Sequence, residues 1–149
     1  FDPFAMLPFM GYNVGDYINH WIEIGKATDS SKLPKLFWVN WFRKDENGGF
    51  LWPGFGENSR VLKWILDRVD GAAQAVETPL GLVPEIDGID TSGLDLKVSA
   101  MQRLLEVDSD SWCEEVPLIE EHLKTIGDRL PEEMTSQLDY LKSRIGLGN

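Results

Sequence analysis

A single cysteine, Cys113, excludes an internal disulfide, and only two histidines occur in 149 residues. His20 and His122 lie far apart with no ligand spacing around them, so no metal site is expected in this chain. Glu114 and Glu115 beside Cys113 disfavour its thiolate, and no catalytic cysteine is expected either. No apolar run approaches the roughly 18 residues that span a bilayer. Asp2 and Pro3 stand where a signal peptide would carry basic residues, so a cytoplasmic protein without a membrane partner is expected. The phosphate-cradling pattern G-x-x-x-x-G-K-[ST] is absent, and Gly54-Phe55-Gly56 lacks the third glycine of a dinucleotide fingerprint. Basic charge is scarce in the second half: residues 65–149 carry 18 acidic and 7 basic side chains, against 7 of each in residues 1–64. Such a surface repels a phosphate backbone and excludes nucleic-acid binding by counterion release.

What is present is a mixed α/β pattern of folded-domain composition, 42 % apolar and 26 % charged. Asn13 followed by Val14, Tyr17, Ile18, Trp21 and Ile24 predicts a helix over about 14–24. Alternating Leu36, Trp38 and Phe42 against Phe37, Val39 and Trp41 predicts a strand at 36–42 covered on both faces. Asn47-Gly48 signals a turn, with 50–52 as a returning arm. A helix over 59–70 follows, then a short strand at 78–83 between prolines. Helices are expected at 99–106, 110–126 and 131–145, the last two as an antiparallel hairpin. Pro117 should kink or split the first of these, while Pro131 suits a first helical turn. The strand at 36–42 has few possible neighbours here, which points to a sheet completed by residues outside the chain.

The aromatic side chains crowd together. Five of the six tryptophans fall between Trp21 and Trp64, interleaved with Phe42, Phe50 and Phe55. Much of this spacing serves core packing equally well. Phe50 and Phe55 nevertheless flank Pro53-Gly54, where glycine permits close backbone approach to a ligand. A flat ring held between aromatic faces gains about 1–3 kcal/mol per base, with little selectivity among bases. Selectivity must come from hydrogen bonds at the ring edge. Asn58 offers both a donor and an acceptor for that task; its other role would be a helix N-cap. Arg43, Lys44 and Arg60 are the nearby basic residues, read as a solvated loop and helix face.

Asp2-Pro3-Phe4-Ala5-Met6, Gly11-Tyr12-Asn13, Val39 to Asp45, Phe50 to Leu62 and Thr78 to Pro84 resemble the C-terminal portion of GTP-dependent phosphoenolpyruvate carboxykinase. The run Phe50-Leu51-Trp52-Pro53-Gly54-Phe55-Gly56-Glu57-Asn58-Ser59-Arg60 carries most of that resemblance, which loosens beyond residue 95. It implies a lyase of gluconeogenesis that decarboxylates oxaloacetate and phosphorylates the enolate from GTP, giving phosphoenolpyruvate, CO2 and GDP. Transferred to this sequence, Trp41, Phe42, Phe50, Phe55, Gly56, Glu57 and Asn58 would form the guanine pocket. Phe42 and Phe55 would lie on the two ring faces, Asn58 at the edge, and the backbone near Trp41 would add polar contacts.

The family's phosphate loop, manganese ligands and oxaloacetate-binding arginines precede the matching region. Hence no catalytic or metal-binding residue is expected in this chain, and Mn2+ and nucleotide-bound Mg2+ would be held elsewhere. The resemblance implies residues 1–95 as the guanine-binding part and 96–149 as a helical segment packed on the same domain. It also implies a companion upstream chain, a monomeric enzyme, and a start at Phe1 of the kind a break in a mobile lid loop would leave. The competing expectation is a non-catalytic module whose aromatic patch binds a partner protein.

Overall fold

Asn13 opens the first helix, α1 (Val14–Ala27), with its side chain. Its Oδ1 accepts from the Gly15 N–H at 2.7 Å, and its Nδ2 donates to the Ile126 carbonyl at 2.9 Å. One residue thus caps a helix and ties it to a segment more than a hundred positions away. The computed structural model describes Asp2 and residues 5–147; Phe1, Pro3 and Phe4 of the opening motif lie outside the described residues. By packing, the chain divides into two units, one of residues up to Pro34 with those from Asp108, the other Lys35–Val107. This grouping by contact differs from the partition expected at 95 and 96.

In the first unit α1 packs with α4 (Ser109–Lys124) and α5 (Glu132–Arg144). Val116, Leu123, Ile126, Leu138 and Ile145 form its buried core, with Val14 and Ile18 against them. The helical hairpin expected at 110–145 is present, turning where Gly127 takes φ +72°. Pro117 does not split α4, which runs through it. The reason lies on its apolar face: Val116 and Leu123 are buried, and Trp112, Cys113 and Ile119 pack beside them. Pro131 takes the N-cap position of α5, with Glu132 and Glu133 in the first turn and Lys142 and Arg144 in the last. Both pairs of charges complement the helix dipole. The helix α1 extends past the expected stop at Gly25 to Ala27. An added Cβ at Gly25 would meet nothing within 4 Å. Gly25→Ala is therefore expected to stabilise the protein by about 0.5–1 kcal/mol through helix propensity alone, seen as slowed amide exchange in α1.

The second unit contains α2 (Asn58–Val69), β1 (Val76–Thr78), β2 (Gly81–Val83) and α3 (Val98–Leu105). Its core is Trp52, Trp64, Ile89 and Met101, with Phe37, Trp41, Val61 and Ile65 packed around them. Three strand expectations need correction. Residues 36–42 form no strand among the described residues, 36–40 being irregular and 41–42 a turn, because no described segment lies alongside to pair their N–H and C=O groups. The alternation survives only in part: Phe37 and Trp41 turn into the core, while Val39 of the same expected face is exposed, as are Leu36, Trp38 and Phe42 of the other face, also expected to be covered. The arm at 50–52 is reduced to an isolated Lys44–Phe50 bridge, with Leu51 N–H donating to Arg43 C=O at 2.9 Å. Finally, 78–83 is not one strand but the turn and second arm of the β1–β2 hairpin, Val76 facing Val83. Pro79 has no N–H for a ladder and takes the turn instead. The Thr78 hydroxyl donates to Gly81 C=O at 2.7 Å to close it.

Candidate functional site

The Lys44–Phe50 bridge sets the geometry of the site. Asp45 organises the loop between its two arms: its Oδ1 accepts from the N–H groups of Asn47 and Gly49, each at 2.9 Å. Gly48, at φ +81°, completes the turn. The loop brings the Phe42 and Phe50 rings edge to face, with centroids 6.0 Å apart and planes at 61°. Lys44 Nζ lies 5.3 Å from the centre of the Phe50 ring, within cation–π range. Asn40 Oδ1 accepts from the Phe42 N–H at 2.9 Å and holds that residue's backbone. Among the described residues, none hydrogen-bonds the N–H or C=O of Trp41, whose ring faces the core.

Beyond Trp52 the chain takes an unusual path. Gly54 adopts φ 76° and ψ −163°, a region open only to glycine, and Phe55 follows at φ +51°. For a bulky aromatic residue the left-handed region costs roughly 1–2 kcal/mol. Burial does not repay that cost, since Phe55 is 94 % exposed. A ring held in a strained backbone and facing solvent is a hallmark of ligand clamps. Phe55→Asn, which tolerates this conformation, is expected to stabilise the protein by about 1 kcal/mol. On the expectation of a guanine pocket, the same change would remove a stacking face and weaken nucleotide binding by about 1–3 kcal/mol. Thermal melts and GDP titration of one variant should therefore move in opposite directions.

Within residues 41–55 the tryptophans face the core and the phenylalanines face solvent. Trp52 and Trp64 are core, whereas Phe42 and Phe50 are 71 % and 59 % exposed. The structure thus separates core from surface residue by residue. A short helical turn over Phe55–Glu57 leads into α2, whose first residue is Asn58. Asn58 does not cap that helix. Its Oδ1 instead accepts from the Trp52 indole N–H at 2.9 Å. Gly56 C=O accepts from the Ser59 hydroxyl at 2.7 Å, so this backbone is engaged within the turn. Glu57 pairs with Arg60 at 2.5 Å, and Arg60 also donates to the Asp90 carbonyl at 2.8 Å.

The basic residues have structural partners. Arg43 donates to the carbonyls of Leu104 at 3.4 Å and Glu106 at 2.8 Å, closing the C-terminal end of α3. The expectation of a solvated loop for Arg43 and Arg60 thus gives way to two pinning contacts. Ser92 holds the Asp90 carboxyl below its ordinary range, with a smaller contribution from Arg60. That contribution to stability is complete at neutral pH and is lost as pH falls through the lowered range. Two contributors escaped the sequence reading, Asp45 as loop organiser and Trp52 as partner of Asn58. An Asp two and four residues before backbone donors is a known turn signal; the indole partner has no comparable sequence mark.

Comparison with known proteins places this geometry in context. A family profile described as the phosphoenolpyruvate carboxykinase C-terminal P-loop domain matches residues 1–144. The chain is 50 % identical to the GTP-dependent phosphoenolpyruvate carboxykinase of Renibacterium salmoninarum over 97 % of its own length and 24 % of that protein's. It is likewise 50 % identical, with the same coverage, to the enzyme of that name from Treponema pallidum strain Nichols. With the Corynebacterium kroppenstedtii enzyme the identity is 48 % over the whole chain and 24 % of the relative. The chain spans about a quarter of these relatives' lengths. It belongs to the GTP-dependent phosphoenolpyruvate carboxykinase family and corresponds to part of that family's C-terminal domain.

Proposed function

We propose that this chain supplies the guanine pocket of a GTP-dependent phosphoenolpyruvate carboxykinase, which converts oxaloacetate and GTP to phosphoenolpyruvate, CO2 and GDP. The observation that carries the reading is the strained, solvent-facing Phe55 beside the exposed Phe42–Phe50 pair. Phe42 and Phe55 stack on the base, Phe50 walls the pocket, and Asn58 identifies the base edge. Gly56, Glu57 and the free backbone of Trp41 line the rim. We place this guanine-binding part within residues 1–95 and treat 96–149 as its helical segment.

This chain's contribution is binding and orientation. Fixing the base fixes where the triphosphate extends, and positioning of that kind supplies much of the catalysis in phosphoryl transfer. Among the described residues no three His, Cys, Asp or Glu side chains converge on a possible metal site. We assign Mn2+, nucleotide-bound Mg2+ and the reacting groups to residues outside the chain. No helix among the described residues is long and apolar enough to cross a membrane. A monomeric cytoplasmic enzyme of gluconeogenesis is the corresponding cellular reading. The test is turnover of oxaloacetate by the complete polypeptide that carries this chain. Phosphoenolpyruvate formation with GTP and little with ATP supports the reading; equal rates with both nucleotides refute it.

A further inference from the structure

Asn58 is ambiguous as a base reader, because its amide can present either an acceptor or a donor to a purine edge. Turning the side chain by half a rotation exchanges the two. Trp52 removes the ambiguity. An indole N–H only donates, so the amide atom 2.9 Å away must be the oxygen. Trp52 is itself only 5 % exposed and is gripped by the cluster containing Trp64, Ile89 and Met101. Its N–H therefore stays where it is. Asn58 is equally constrained, as the first residue of α2.

We propose that Trp52 is a positioning residue for base selection: by donating to Asn58 Oδ1 it fixes the amide's orientation, the oxygen turned to the indole and the N–H2 group turned to the bound purine. A purine with a carbonyl oxygen at C6 accepts from that group, whereas one with an amino group at C6 meets donor against donor. Rotating the amide to suit the second purine would strand the indole N–H in a buried site. That penalty corresponds to roughly a tenfold loss of affinity or more. The inference rests on the guanine-pocket reading and adds to it a residue that never touches the base.

The test uses the complete polypeptide with GDP, IDP and ADP as probes, titrated calorimetrically. IDP shares the C6 oxygen of GDP but lacks its 2-amino group. Trp52→Phe keeps an aromatic ring and deletes the donor. It should lower the GDP:ADP and IDP:ADP affinity ratios by about tenfold each. Trp64→Phe shortens another ring of the same cluster that has no bond to Asn58, and should leave both ratios unchanged. With Asn58→Ala already present, Trp52→Phe should have no further effect on the ratios, because the pathway runs through that amide. A folded Trp52→Phe protein with wild-type ratios, or additive effects of the two changes, overturns the inference. Should Trp52→Phe fail to fold, hydrogen exchange of the wild-type Trp52 indole decides: protection supports the bond, and exchange as fast as in an exposed indole refutes it. A wild-type protein that binds GDP and ADP alike would instead overturn the guanine-pocket reading, and this one with it.

Discussion

Asn58→Ala should weaken GDP binding to the complete polypeptide by roughly 10- to 100-fold, while ADP, relieved of the donor-against-donor contact, should bind no more weakly than before. In the proposed pocket, stacking on Phe42 and Phe55 would serve any base, so a preference for guanine would depend on the polar edge. Alanine there removes the only side-chain amide in the segment that joins the Phe50 bridge to α2. It also leaves the Trp52 indole N–H without its acceptor in a buried setting. The unpaired donor should cost about 1–3 kcal/mol of stability, partly offset by alanine's better helix propensity at the start of α2. The two losses are read separately: titration with each nucleotide reports the edge contact, and denaturant unfolding reports the orphaned indole. A protein that loses GDP and ADP affinity equally would show that Asn58 supports the pocket without reading the base.

The second large effect is expected far from the aromatic residues. An added Cβ at Gly15 would lie 2.2 Å from the Arg129 carbonyl oxygen and 2.7 Å from its carbon. Both atoms are backbone, so no side-chain rotation relieves the clash. Gly15→Ala is expected to destabilise the first unit by about 2–3 kcal/mol, even after the ~1 kcal/mol that alanine gains in a helix. The contact lies next to the Asn13 cap and its bond to Ile126, and Arg129 itself pairs with Asp16. A shift of α1 would strain all of these together. Hydrogen exchange across α1 and residues 126–130 should accelerate in the variant. Gly25→Ala in the same helix, with open space at its Cβ, should do the reverse. If both changes stabilise, the close packing at Gly15 is wrong.

The contrast between these glycines shows what sequence could and could not disclose. Gly25 read as the end of the helix and Gly15 carried no signal; only the fold reveals that Gly15 lies against a carbonyl. Helices were legible because their signals are local. Asn13, the acidic first turns, and the four-three spacing of Trp112, Val116, Ile119 and Leu123 act within one or two turns of chain. The strands were less legible because pairing is not local. Residues 36–42 alternate as a strand should, yet no described segment pairs with them. Pro79 was read as a boundary when it forms a turn, since the pattern does not show on which side a partner lies.

The aromatic segment followed the same division. Its composition pointed to a stacking site, but Trp and Phe are equally apolar on paper. Their separation into core and surface depends on the Asp45 loop and on the left-handed turn at Gly54 and Phe55. The Trp52–Asn58 bond reaches across that turn and obeys no helical or strand period. Family resemblance, carried by the same run of residues, supplied what periodicity could not.

A structure of the complete polypeptide bound to GDP tests the central claim most directly. Guanine should lie between the Phe42 and Phe55 rings, with the Asn58 amide nitrogen within hydrogen-bonding distance of its C6 oxygen and the Trp52 indole still on the amide oxygen. Guanine bound away from these rings, or a GDP complex in which Phe42 and Phe55 contact only protein, would contradict it.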